Sequence, residues 1–185
     1  MANKVKYGLK CVHFATLSIS NTGSITYGTP VSHPGAVNLT LAPEGETEPF
    51  YADDIEYYTA IANNGYSGSL EVARLTEWFR ENILAEIKDE NGILYEDADA
   101  ELKPFAMLFE VNGDEKETKF VYYYCQPERA NNDASTKAGS KTPQTETINI
   151  KCLPSPENGI VRAKTGDSVS TTVSAAWYTA VHVKA

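Results

Sequence analysis

The feature that most constrains this chain is a period-two alternation of apolar and polar residues. Val5, Tyr7, Leu9, Cys11, His13, Ala15, Leu17 and Ile19 hold successive odd positions, with Lys4, Lys6, Lys10, Thr16 and Ser18 among the even ones. Strand side chains point alternately to opposite faces, so this run predicts one long half-buried strand with its odd residues inward. Val37, Leu39 and Leu41 alternate with Asn38 and Thr40, Leu70 and Val72 alternate with Ser69 and Glu71, and PQTETINIKCL (143–153) alternates again. PFAMLFEV (104–111) and TKFVYYYC (118–125) are instead apolar at successive positions, the signature of central strands covered on both faces. Asn112-Gly113-Asp114 between them is a hairpin signal, with a connection extending to Glu117. AWYTAVHV (176–183) reads as a closing strand.

One helix interrupts the pattern. In TEWFRENILAEIK, Thr76 is a good N-cap and Glu77 suits the positive end of a helix dipole. Leu75, Phe79, Ile83 and Ile87 recur at four-residue spacing until Asn91-Gly92 stops them, which predicts a helix over about 75–88. A lone amphipathic helix among about eight strands predicts a mainly β fold. The expected form is a β-sandwich or barrel with that helix on its flank, as a single domain over 1–185.

Charge narrows the function classes. Sixteen basic against twenty-five acidic residues give a net charge of −9. That excludes tight binding of nucleic acid or of an anionic membrane surface, where Lys and Arg supply most of the attraction. No apolar run approaches the roughly 18 residues of a membrane helix, and the broken, alternating N-terminus reads as a strand, not a secretory signal. Cys11, Cys125 and Cys152 form no CxxC pair and read as buried small hydrophobes in a reduced compartment. His13, His33 and His182 show no ligand spacing, and no GxSxG elbow or phosphate loop occurs. Gly65-Tyr-Ser-Gly68 reads as a turn leading into the Leu70 strand, and Tyr122-Tyr-Tyr124 as packing, since its members alternate between faces. No catalytic constellation emerges, and neither a cofactor nor a metal is expected.

Two segments lack a core-facing pattern. EGETEPFYADDIEYY (44–58) carries Glu44, Glu46, Glu48, Asp53, Asp54 and Glu56, and no Lys or Arg occurs between Lys10 and Arg74. A glycosidase pair needs one carboxyl in an apolar pocket, which nothing local supplies. The most calcium-loop-like run, beginning at Asp97, has Leu102 where the loop needs Gly and Leu108 where it needs a bidentate Glu. A solvated acidic face is the reading that remains. ERANNDASTKAGSK (128–141) is a long polar loop between two strands, a kind of segment that is commonly functional or mobile.

The strings VKYGLKCVHFA, ITYGTPVSHPGAVNLTLAPEG, FYADDIEYYTAIANNGYSGSLEVA and ENGILYEDADAELKPFAMLFEVNGD, in that order, resemble the phi13-type major tail proteins of long-tailed phages of Gram-positive bacteria. The resemblance runs from about Val5 to Leu153, with 154–185 matching only loosely. It implies a tail-tube-like β-sandwich that self-assembles into stacked hexameric rings, with long loops that order on assembly. It implies a non-enzymatic structural virion protein, made in the host cytoplasm and placed in the phage tail. DNA passes through the tube without specific binding. Tail tape measure, distal tail and tail terminator proteins are the expected partners besides the chain itself, and no membrane is involved. On that reading 44–58 and 128–141 are inter-subunit or inter-ring arms. Glu44, Glu46, Glu48, Asp53, Asp54 and Glu56 then face the lumen or a neighbour, with Arg129, Lys137 and Lys141 as candidate partners for a neighbour's acids. A rival from another class is a monomeric ligand-binding β-sandwich, such as a carbohydrate-binding module with a structural calcium.

Overall fold

The computed structural model describes residues 3–132, 134–136 and 143–184. The N-terminal run forms β1 (Lys6–Ile19), followed by the short β2 (Ile25–Tyr27) and β3 (Val31–Ser32). Four strands come next, β4 (Ala36–Glu44), β5 (Thr47–Ala52), β6 (Ile55–Ile61) and β7 (Gly65–Val72), and then the helix α1 (Glu77–Asn82). β8 (Ile87–Lys88) and β9 (Leu94–Tyr95) precede the central hairpin of β10 (Phe105–Gly113) and β11 (Thr118–Pro127). β12 (Glu146–Leu153), β13 (Arg162–Lys164) and the helix α2 (Thr171–Ala175) follow.

The fold is mainly β, with a flanking helix against one large antiparallel sheet of order β2-β1-β10-β11-β12-β7-β4. β11 changes partner along its length: Phe120–Tyr122 pair with β13 and Tyr124–Pro127 with β12. The sheet curls so that its last strand, β4, returns beside β1. Inside the curl, Val12, Phe14, Leu70, Val72, Phe105, Met107, Ile148 and Ile150 form the core. Leu75, Phe79 and Ile83 of the α1 region close it, with the Phe79 ring 4.8 Å from Phe14 and 5.6 Å from Phe105. Burying one such ring stabilises the fold by about 1.5–3 kcal/mol.

The two continuous apolar runs are covered on both faces, as expected. The outer face of β10 and β11, with Ala106, Leu108, Val121 and Tyr123, packs with Ala15 of β1 under Trp177 and Val181. This cover corrects the expected closing strand over 176–183. The chain there forms the turns that follow α2, because Trp177 and Val181 are anchored by burial four residues apart instead of alternating. Trp177 also donates its indole N–H to the Phe120 carbonyl at 3.4 Å.

Three local expectations change with the backbone. In β1 the inward residues are Val12 and Phe14, Ala15 is buried on the outer face, and Tyr7 and Cys11 are exposed. Cys11 has φ 51°, and between Lys10 and His13 one residue more lies on β1 than on β10. This bulge flips the facing of the strand and ends the odd-position pattern. The helix is shorter than 75–88: Ala85 takes φ 58°, the Glu86 N–H turns back to the Arg80 carbonyl at 3.0 Å, and Ile87 is exposed in β8. Gly65-Tyr-Ser-Gly68 belongs to β7 itself, and a side chain on Gly68 would collide with the Thr40 carbonyl of β4.

Among the described residues no helix is long and apolar enough to cross a membrane.

Candidate assembly surface

The acidic segment 44–58, expected as an irregular arm, is a regular β-hairpin. β4 and β7 pair from Ala36↔Val72 to Glu44↔Gly65, and the ladder continues into β5 and β6 from Thr47↔Ile61 to Ala52↔Ile55. The Asn64 N–H bonds the Glu44 carbonyl at 2.8 Å and the Ala62 N–H bonds the Glu46 carbonyl at 3.0 Å, joining the two halves. Asp53 and Asp54 form the tip, with φ of 53° and 60°. Two consecutive left-handed residues make the tight turn whose twist matches that of the flanking strands, and Asp tolerates that conformation.

The root of this hairpin belongs to the body, but its outer half does not. Among the described residues β5 and β6 pair only with each other. Phe50, Tyr51, Ile55, Tyr57, Tyr58 and Ile61 are all at least 60% exposed, on both faces of the ribbon. A free two-stranded ribbon is marginal in water, and a patch of six large apolar side chains is what an interaction surface presents.

Glu48, Asp53, Asp54 and Glu56 stand exposed on this ribbon, with Glu46 just before β5. Glu44, at the root, accepts from Ser67 and lies 3.4 Å from Lys151 Nζ, and these contacts hold its carboxyl below the usual range. The six acids therefore share one hairpin, five of them without an intramolecular ion pair among the described residues. Arg129, expected as a partner for a neighbour's acids, is exposed, and within its own chain its guanidinium bonds Glu96 and donates to the Asp97 carbonyl at 3.2 Å. The start of the 128–141 loop is likewise tied down, with the Glu128 N–H on the Asn149 carbonyl at 2.9 Å and the Asn131 N–H on the Thr147 carbonyl at 3.3 Å. Lys137 and Lys141 lie outside the described residues.

Cys11, His13, Glu110 and Tyr178 approach one another beside the β1 bulge, with His13 stacked on Tyr178 at 4.3 Å and Tyr178 O–H donating to Glu110 at 3.0 Å. Burial, reinforced by Glu110, pushes the Cys11 thiol up, the opposite of what an activated thiolate needs. The His13 Nδ1 is spent on the Cys11 carbonyl at 2.8 Å. Cys125 and Cys152 are buried free thiols facing each other across β11 and β12. Among the described residues no group of three or more His, Cys, Asp or Glu side chains is gathered to hold a metal.

Sequence reasoning found the acids of the hairpin and missed its aromatic residues. The available signal was Phe50-Tyr51 and Tyr57-Tyr58 on either side of Asp53-Asp54, a β-rich composition around a turn pair. No protein-family model matches the chain, and no curated protein matches it.

Proposed function

We propose that the chain is a structural tail-tube subunit whose activity is self-association, in hexameric rings stacked into a tube that conducts DNA. The observation that carries this reading is the β5–β6 hairpin, a paired ribbon with apolar side chains exposed on both faces and no partner among the described residues of its own chain. A protein that worked alone would leave those side chains in water at continuous risk of aggregation. A closed ring of identical copies covers them and limits growth by symmetry.

Charge fits the same reading. A conduit must pass DNA without retaining it, and a chain of net charge −9 offers the phosphates little to hold. An acidic wall repels them over about a Debye length, roughly 8 Å in physiological salt. The subunit needs no cofactor for this: guidance is steric and electrostatic. On this reading it resides in the virion tail, is made in the host cytoplasm, and meets tape measure, distal tail and terminator proteins at the tube ends.

Negative-stain electron microscopy of the concentrated protein tests the proposal. Rings or tubes of one diameter are expected. A strict monomer whose melting temperature rises with calcium would overturn it in favour of a ligand-binding module.

A further inference from the structure

The curl of the sheet stops short of closure. Among the described residues β4 pairs only with β7, and the first residues of β1 pair only with β10, so two strand edges unpaired there face each other across a seam. The seam is a cleft of about 450 Å³ lined by Leu9, Val37, Leu39, Leu41 and Phe109. It adjoins a second cavity of about 650 Å³, with which it shares Lys6, Val111 and Phe120. The second cavity carries Lys4, Lys6, Arg162 and Lys164 against a single acid, Asp167. Among the described residues Lys4, Lys6 and Lys164 make no ion pair. Arg162 is held over the Tyr66 ring at 4.9 Å and points one N–H at the Tyr122 hydroxyl, 3.4 Å away.

This surface is the chemical complement of the hairpin. One presents apolar side chains, free backbone edges and unpaired cations. The other presents Phe50, Tyr51, Tyr57 and Tyr58 with unpaired Glu48, Asp53, Asp54 and Glu56. No hairpin residue lines either cavity of its own chain.

The geometry points to the β1–β4 seam as the receptor for the β5–β6 hairpin of a second copy of this chain. The inserted ribbon adds backbone hydrogen bonds to a free edge, seats its aromatic rings on the apolar floor, and sets its acids against Lys4, Lys6, Arg162 and Lys164. Hairpin and seam are different surfaces, so the contact is head-to-tail and propagates into a ring or filament instead of stopping at a dimer. The inference rests on the tail-tube reading and names the site through which copies would join. It also adds Lys4, Lys6, Arg162 and Lys164 to Arg129, which already bonds Glu96 in its own chain, as basic partners for the acids.

Two charge-reversed variants of the full chain test it. Lys6→Glu/Lys164→Glu spoils the seam and Glu48→Lys/Glu56→Lys spoils the hairpin; all four residues are exposed, so circular dichroism and melting should match the parent. Each variant alone should need about tenfold or more protein to assemble, read by analytical ultracentrifugation. Mixed, the two should co-assemble in alternation at about the parent's concentration, since the acidic hairpin of one meets the basic seam of the other and the Lys-bearing hairpin meets the Glu-bearing seam. Both pairs of changes on one chain should restore assembly. Single variants that assemble like the parent, or a mixture that assembles no better than either variant alone, would overturn the inference while leaving the tail-tube reading standing. A parent chain that stays monomeric at every concentration would overturn both.

Discussion

Replacing Phe50 and Tyr58 together by serine should uncouple assembly from folding. The two face each other as a cross-strand pair on the outer hairpin and are 60% and 63% exposed. Taking roughly 200 Å² of surface per aromatic side chain, about 120 Å² of each, or roughly 250 Å² together, lies in water in the isolated chain. At about 25 cal/mol per Å², covering all of it would stabilise an assembly by roughly 6 kcal/mol per hairpin. If a neighbour covers half, the double variant forfeits about 3 kcal/mol, and the concentration needed for assembly rises about 100-fold. The monomer should scarcely notice, because neither ring touches the core and a lost cross-strand pair is worth only about 0.2–1 kcal/mol, felt within the ribbon. Sedimentation velocity across a concentration series measures the first quantity and urea unfolding the second. An unchanged assembly concentration would refute the reasoning. A large fall in monomer stability would show that the hairpin packs on the body after all.

Three further outcomes follow from the body of the fold. Phe79→Ala should cost about 3–5 kcal/mol in urea unfolding, since the ring is fully buried between Phe14 and Phe105, whereas Ile87→Ala, at an exposed position, should stay within about 0.5 kcal/mol of the parent. His33 is buried on the Thr76 cap, and burial lowers its imidazole pKa below the ordinary value. The unfolded state therefore binds the proton more readily, so this contribution to stability is complete above a pH of about 6.5 and declines as pH falls below it; unfolding of His33→Gln should show a weaker acid dependence there. A thiol reagent should titrate Cys11 in the native protein, at a rate slowed by its raised pKa, and reach Cys125 and Cys152 only in denaturant; three equal rates would contradict the burial of the pair.

Where one strand face is core and the other is solvent, the chain announced its structure. Leu70 and Val72, Ile148 and Ile150, and the unbroken runs of β10 and β11 all lie where alternation or its absence places them. The signal failed wherever a single backbone residue reset the pattern. Cys11 with its positive φ reverses the facing of β1, the residue count at Val37 does the same at the start of β4, and Ala85 ends the helix before Ile87 can reach the core. None of these residues is a glycine, so composition gave no warning. The hairpin was legible only by its charge, for a physical reason. Both of its faces meet water in the single chain, so no polar–apolar alternation distinguishes them. The seam was harder still, because Lys4 and Lys6 lie far in sequence from Arg162 and Lys164, and only the curl of the sheet brings them together.

The central claim is that copies of this chain join through the β5–β6 hairpin. A reconstruction of the purified assembly, at a resolution that traces strands, tests it most directly. Six copies are expected around an open channel, each hairpin buried against the body of another copy and its aromatic side chains out of water. An assembly in which residues 47–61 project into solvent, or a protein that forms none, would contradict it.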